Sequence, residues 1–341
     1  MNIKPYNPTG FHAEKDLAAF ISALYSSNNS FGFFFDEYRR AYDFCCESEH
    51  ITFLPLSLFQ NKEMVAHVAL ILDDRLPRHQ AFFGFFEVVN DLVVFKIVWR
   101  ELISLAKMHN IQILKGPVNG SVWHQYRCIK EGSSVPFFKT EPMTPLYYYD
   151  FLSQVNPTSE ITYSSGIRES YSDILALLRK HKDAIHEQLN KGNFKIDTTK
   201  EIEATTLLSI AKLSVVVFDE KSWGYTKLDT AEFSRLYDPS KINEHIYKLF
   251  LLYHNDVLVG YCSTMREGMS LLCKTICIAS EFQGNGLGNA LALSMHEEAE
   301  RDGIEKIMYV LIKDGNQVHN YPTEDVETFR RYAVFEYELT T

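Results

Sequence analysis

One order of elements can be read twice along the 341 residues. In the first half, residues 51–59 and 64–72 read as strands joined by an Asn61-Lys62 turn. Residues 80–89 form a third, aromatic-rich strand. Asp91 then caps a helix that carries Phe95, Val98, Leu102 and Leu105 on one face. A short strand over 111–114 ends at Gly116-Pro117. The second half repeats this plan. Residues 248–253 and 257–263 pair about a His254-Asn255-Asp256 turn, 271–279 follow as a strand, a helix runs over about 286–301, and 307–312 form the next strand. Such a repeat implies two copies of one α/β domain, over 1–155 and 156–341, each a mixed and mostly antiparallel sheet flanked by helices.

The remaining chain fits around this frame. Helices are expected at 11–25, 170–189 and 202–217, a strand at 193–197, and a last strand at 331–339. The stretch 132–157 is rich in Pro, Tyr and Phe, includes the Tyr147-Tyr148-Tyr149 run, and has no clear period. It reads as irregular chain leading to a boundary near 153–159.

Composition removes several classes of function. The net charge is −10, with no basic block, which argues against nucleic acid or an anionic membrane as partner. No apolar run approaches the ~18 residues of a bilayer span. The first 16 residues carry no apolar stretch after Lys4, so no secretory signal is expected and the reading is cytoplasmic. Six cysteines stand without a C-x-x-C pair, which suits buried thiols in a reducing compartment. Cys273 and Cys277 lack partners at zinc spacing, so no metal is expected.

The segment with chemical content is Ile278-Ala279-Ser280-Glu281-Phe282-Gln283-Gly284-Asn285-Gly286-Leu287-Gly288-Asn289. It links an expected strand to an expected helix. Alternate glycines let several N–H groups converge, and the first turn of the helix adds its unpaired donors and its positive dipole end. This is a nest for an anion such as a diphosphate, and no Lys or Arg lies between Lys274 and Arg301. The segment is neither a P-loop nor a dinucleotide fingerprint.

Here the chain resembles the GNAT superfamily of acyl-CoA-dependent N-acyltransferases. The family signature, Gln/Arg-x-x-Gly-x-Gly/Ala, is matched by Gln283-Gly284-Asn285-Gly286-Leu287-Gly288. The surrounding order of elements agrees over 193–341, and by order alone over 1–150. The resemblance implies a tandem-GNAT protein that uses acetyl-CoA or another acyl-CoA as co-substrate. It implies that backbone groups of Cys277, Ile278 and Ala279 pair with the pantetheine arm. The N–H groups from Gln283 to Gly288 would hold the pyrophosphate, and Asn289 would add a polar contact. Asn316 and Asn320 would be further pantetheine contacts. The first half has Phe86-Glu87-Val88-Val89-Asn90-Asp91 at the matching place, without glycine. Asp91 would fill the anion site with its own carboxylate, so the first domain is not expected to bind CoA.

Transfer to an amine needs a neutral nucleophile, a stabilised oxyanion and a proton for the leaving thiolate. The resemblance points to Tyr321 as the acid, with His319 behind it. Glu267 or Glu281 could serve as the base, directly or through water, and many such enzymes need no dedicated base. Trp223 and Tyr225 could wall the acceptor site, with Asp219 or Glu220 attracting a cationic amine. The aromatic loop 120–126 could face the same cleft. The expected activity is acyl, most simply acetyl, transfer to a small-molecule or peptide amine. Two alternatives stand beside it: a Fem-type or myristoyl-type transferase, and a non-catalytic acyl-CoA sensor. The sequence does not disclose the oligomeric state.

Overall fold

The computed structural model describes residues 2–5, 8–26, 28, 31–132, 134–218, 223–237, 246–316 and 325–339. In chain order the first elements are β1 (Asn2–Pro5), α1 (Lys15–Tyr25), α2 (Phe31–Glu47), β2 (Ile51–Gln60), β3 (Glu63–Asp73), β4 (Gln80–Val88), α3 (Leu92–Met108), β5 (Ile113–Gly116), β6 (Cys128–Gly132) and α4 (Tyr147–Ser153). There follow β7 (Ser159–Arg168), α5 (Ser172–Lys180), α6 (Lys182–Lys191), β8 (Phe194–Thr199), α7 (Ala204–Val217), α8 (Thr230–Leu236), β9 (Ile246–His254), β10 (Val257–Glu267), β11 (Ser270–Ile278), α9 (Leu287–Arg301), β12 (Lys306–Lys313) and β13 (Glu327–Glu338).

The chain divides into two compact units. One comprises Met1–Tyr163, Gly224–Thr226 and Arg330–Thr341; the other comprises Ser164–Trp223 and Lys227–Phe329. The sheet of the first runs β1-β2-β3-β4-β5-β13, with β6 also on β13. Neighbours are antiparallel except β4 and β5, which are parallel and joined through α3. The second unit repeats the plan as β8-β9-β10-β11-β12-β7, with β11 and β12 the parallel pair joined through α9. The expected repeat is therefore present as fold.

Local chemistry explains most boundaries. The two hairpins turn on Asn61 and Lys62, with φ of 50° and 72°, and on Asn255 and Asp256, with φ of 47° and 64°. Two successive left-handed residues give the primed turn that matches strand twist, and Asn and Asp tolerate that conformation. Asp91 caps α3, its Oδ1 accepting from the N–H of Val93 at 2.7 Å and of Val94 at 3.3 Å. From α3, Val94, Phe95, Val98, Trp99, Leu102 and Ala106 are buried on one stripe against the sheet of the first unit.

The structure corrects the sequence reading in several places. Residues 31–47 form α2, with Phe34, Tyr38, Ala41, Tyr42 and Cys45 buried on one face. Its aromatic content suits a strand equally well, so propensity hides the helix. The Tyr147 run is helical, because Tyr148, Phe151 and Leu152 bury one side of α4. The helix expected over 170–189 breaks at His181 into α5 and α6. An unexpected α8 starts with a capping box, in which Asp229 accepts from the N–H of Glu232 and Glu232 accepts in return. Residues 330–338 of β13 pair with β5 and β6, so the C-terminal strand completes the first unit's sheet.

A buried carboxyl group sets a pH dependence in the first unit. Glu87 on β4 accepts through Oε2 from Tyr25 at 2.5 Å and Tyr148 at 2.9 Å. Burial nonetheless pushes its pKa up to about 8. Above the usual carboxylate range the folded chain therefore still holds a proton that the unfolded chain has already released. Stability from this group is full below about pH 4.5 and declines as pH rises towards 8. Urea unfolding of Glu87→Gln should lack that decline between about pH 5 and 8, because the amide has no proton to release. Equal slopes for the two proteins would show Glu87 to be ionised in the fold.

Candidate functional site

The glycine turn lies beyond the C-terminal end of the parallel pair β11 and β12. Their pairing spans Ser270–Cys273 and Lys306–Tyr309. Beyond it, among the described residues, β11 is registered on β10 alone, up to Ile278 opposite Gly260. β12 is irregular at Leu311, whose φ is 58° and whose N–H donates to Ser165 Oγ at 3.0 Å. One edge of β11 is thus left for another chain or ligand to pair with, as in strand addition.

The turn after β11 is held from within. Ala279 N–H donates to Val259 O at 2.8 Å and so continues the β10 ladder. Residues Ser280–Phe282 make one 3₁₀ turn. Phe282 lies edge-on to Phe194, centroids 5.5 Å apart, and 5.0 Å from the ring of His254. These rings anchor the turn to β8 and β9. Gln283 Nε2 donates to Ile278 O at 2.8 Å, and Asn285 Nδ2 to Phe282 O at 3.4 Å.

Two glycines make the cradle. Gly284 and Gly286 take φ of 79° and 69°, the left-handed region that a side chain disfavours. Gly286 is the N-cap of α9 and, as a glycine, brings no capping side chain of its own. Asn289 N–H turns back to Gly286 O at 2.9 Å. A Cβ on Gly284 would meet nothing within 4 Å, and one on Gly288 would meet only Ile278 Cδ1, at 3.8 Å. Buried Leu287, Ala290 and Leu291 fix the first turn beneath. The result is a glycine turn at the N-terminus of a 15-residue helix, suited to an anion.

The matching place in the first unit is closed by its own chain. Pairing of β4 with β5 stops at Phe82 and Lys115. The next residues of β4 are then met by the chain after β5. Val118 N–H donates to Phe83 O at 2.8 Å, and Phe85 N–H to Asn119 Oδ1 at 2.7 Å. A Cβ on Gly84 would stand 1.8 Å from Val118 O. With Asp91 on the helix N-terminus, both the strand edge and the anion position are filled.

The other expected residues fall as follows. Cys277 is buried, and burial pushes its thiol up to about 12, which keeps it a neutral thiol. Glu281 is exposed beside the turn. Glu267 is opposite Ser270 at the far end of the β10–β11 ladder, eight positions from Ile278. At ~3.3 Å per residue that is about 26 Å away, so the structure does not bring Glu267 to the nest. Asn316 follows β12 in a turn closed by Asn316 N–H to Lys313 O at 3.0 Å, at the same end of the parallel pair as the nest. The expected acid Tyr321, together with His319, Asn320, Asp219 and Glu220, lies outside the described residues. Trp223 is half-buried in the second unit. Tyr225 belongs to the first, where its ring is 6.1 Å from that of Trp123, whose Nε1 donates to Thr226 O at 3.1 Å. Among the described residues no group of three His, Cys, Asp or Glu could hold a metal ion, and no helix is long and apolar enough to cross a membrane.

One residue at the nest has no sequence signature. Gln188 on α6 puts Oε1 3.2 Å from where a Cβ of Gly286 would stand. Nothing in spacing links it to a turn so far along the chain.

Comparisons with known proteins agree with this geometry. Residues 220–323 match the acetyltransferase (GNAT) domain family. A tandem GNAT protein from the clavulanic acid biosynthesis pathway aligns over 100% of this chain and 99% of its own, with TM-score 0.58 and 12% identity. A GCN5-related N-acetyltransferase from Sphaerobacter thermophilus aligns over 99% and 96%, with TM-score 0.51 and 10% identity. A GCN5-related glucosamine N-acetyltransferase region of a fungal multi-domain GH3 β-N-acetylglucosaminidase aligns over 98% of this chain and 38% of that one, with TM-score 0.54 and 11% identity. No curated protein matches the chain by sequence. Likeness at such identities is one of fold. The chain has the fold of tandem GNAT proteins, and its residues 220–323 are similar to the acetyltransferase (GNAT) domain family.

Proposed function

We propose that the second unit is an acyl-CoA-dependent N-acyltransferase, with acetyl-CoA the simplest donor and an amine the acceptor. The observation that carries this reading is the glycine N-cap of α9 with left-handed Gly284 and Gly286, beside the edge of β11 that β12 leaves. Backbone N–H groups from Gln283 to Gly288 suit the CoA pyrophosphate, and Asn289 and Asn316 are the residues that would add polar contacts. The edge over Cys277, Ile278 and Ala279 suits the pantetheine arm, although Ala279 N–H is already given to Val259. The first unit leaves CoA to the second, because its own chain fills the equivalent edge.

In the reaction the amine nitrogen bonds to the thioester carbonyl carbon, the C–S bond breaks, and the proton lost by the amine balances the thiolate. Tyr321 is the acid of this reading, and exposed Glu281 its base, directly or through water. The experiment is thiol release from acetyl-CoA against a broad amine panel, with CoA affinity measured in parallel. Turnover that falls in Tyr321→Phe while CoA affinity holds supports the enzyme. Saturable CoA binding with no thiol release from any amine supports a non-catalytic sensor instead.

A further inference from the structure

Gln188 lies on α6, far from the glycine turn in sequence, yet its side chain stands against that turn. Among the described residues, and chain neighbours aside, Gln188 Oε1 is the only atom within 4 Å of a Cβ built on Gly286, at 3.2 Å. The carboxamide is half-buried, and it makes no hydrogen bond among the described residues. A polar group held beside the start of a helix and left without a partner has donors to spare.

Packing holds it there from both ends of α6. At the first turn, Lys182 Nζ pairs with Glu297 Oε1 on α9 at 2.9 Å. Ile185 is buried, and Gln188, three residues on, shares its face. At the last turn, Gly192 N–H donates to Gln188 O at 3.0 Å. The Phe194 ring lies over Gly192, where a Cβ would collide with it. That ring also meets Phe282 of the turn edge-on, with centroids 5.5 Å apart. The end of α6 and the glycine turn are therefore fixed to the same aromatic side chain.

The turn itself is short of side-chain donors for an anion. No Lys or Arg lies between Lys274 and Arg301, and Glu281 adds a negative charge. We propose that Gln188 is a donor-site residue whose carboxamide binds the diphosphate of CoA from the side opposite the backbone amides of the turn. This rests on the reading of the second unit as an acyl-CoA-dependent transferase. A carboxamide carries two N–H donors and an acceptor on one flat end. The terminal torsion of glutamine is broad and two-fold, so a half-turn exchanges Oε1 for Nε2 at the glycine turn without moving α6. A bond from Nε2 to a phosphate oxygen is of the stronger, charge-assisted kind.

The test is calorimetric titration of the full chain with CoA and with dephospho-CoA, which keeps the diphosphate and lacks the 3′-phosphate. Gln188→Ala should weaken both about fivefold, the loss of one hydrogen bond at a half-exposed place. Gln188→Glu should weaken both at least tenfold, because a carboxylate then faces the phosphates. Gln188→Lys keeps a donor and adds a positive charge, so it should bind both at least as tightly as the unaltered chain. A side chain that only fills space would make Glu and Lys weaken binding alike, and that result overturns the proposal. Full affinity in Gln188→Ala overturns it too, as does a loss seen with CoA and absent with dephospho-CoA. Gly286→Asp separates the two levels of the argument. If it loses CoA while Gln188→Ala holds it, Gln188 alone is removed from the site. If the unaltered chain fails to bind CoA, the acyl-CoA reading falls and takes this assignment with it.

Discussion

Replacing Gly286 by aspartate is expected to weaken coenzyme A binding at least tenfold, about 1.4 kcal/mol. Three effects act in one direction. The residue sits at φ 69°, where an L side chain is disfavoured. Its Cβ would stand 3.2 Å from Gln188 Oε1, so that side chain must shift. Above all, the new carboxylate would lie at the N-terminus of α9, where it competes for the first-turn amides and repels a diphosphate. Asp91 already does this to α3, accepting from Val93 and Val94. Gly286→Asn has nearly the same shape without the charge and should retain more affinity. Calorimetry on the three proteins decides the matter, and equal affinity for CoA would remove the pyrophosphate from this turn.

Replacing Gly84 by alanine should cost the first unit about 3–5 kcal/mol, from overpacking plus lost buried hydrogen bonds. A Cβ there would lie 1.8 Å from Val118 O and 2.6 Å from Val118 C. Both are backbone atoms, so no rotamer relieves the clash. The segment after β5 must move off β4, and the bonds from Val118 N–H to Phe83 O and from Phe85 N–H to Asn119 Oδ1 are strained or lost. Urea unfolding measures the change. A loss under about 1 kcal/mol would mean that the segment yields freely and the edge of β4 is not firmly closed.

The two glycine positions differ in how they can be recognised. Gly286 stands in a pattern of alternate glycines between a strand and a helix, and its role is local, a turn followed by a helix end. Gly84 lies inside an apolar run, and only the distant segment after β5 explains why no side chain fits. The same contrast holds elsewhere. The Asn61-Lys62 and Asn255-Asp256 turns and the Asp91 cap are readable because each is settled within a few residues. The α2 and α4 helices are hidden because their aromatic residues suit either kind of element until a partner surface selects one face. Glu267 and Glu281 are equal candidates for the base on sequence alone, and strand register puts Glu267 at the opposite end of the ladder.

The repeated order of elements, the hairpin turns and the glycine turn at the start of α9 are written in the order of residues. Each depends on backbone freedom, capping or periodicity, which act between near neighbours. Long-range packing settles that β13 completes the sheet of the first unit, that residues 117–119 close its β4 edge, and that Gln188 reaches Gly286. Those are contacts between distant parts of the chain. They arise from shape and from the need to satisfy buried polar groups, and neither is written in local spacing.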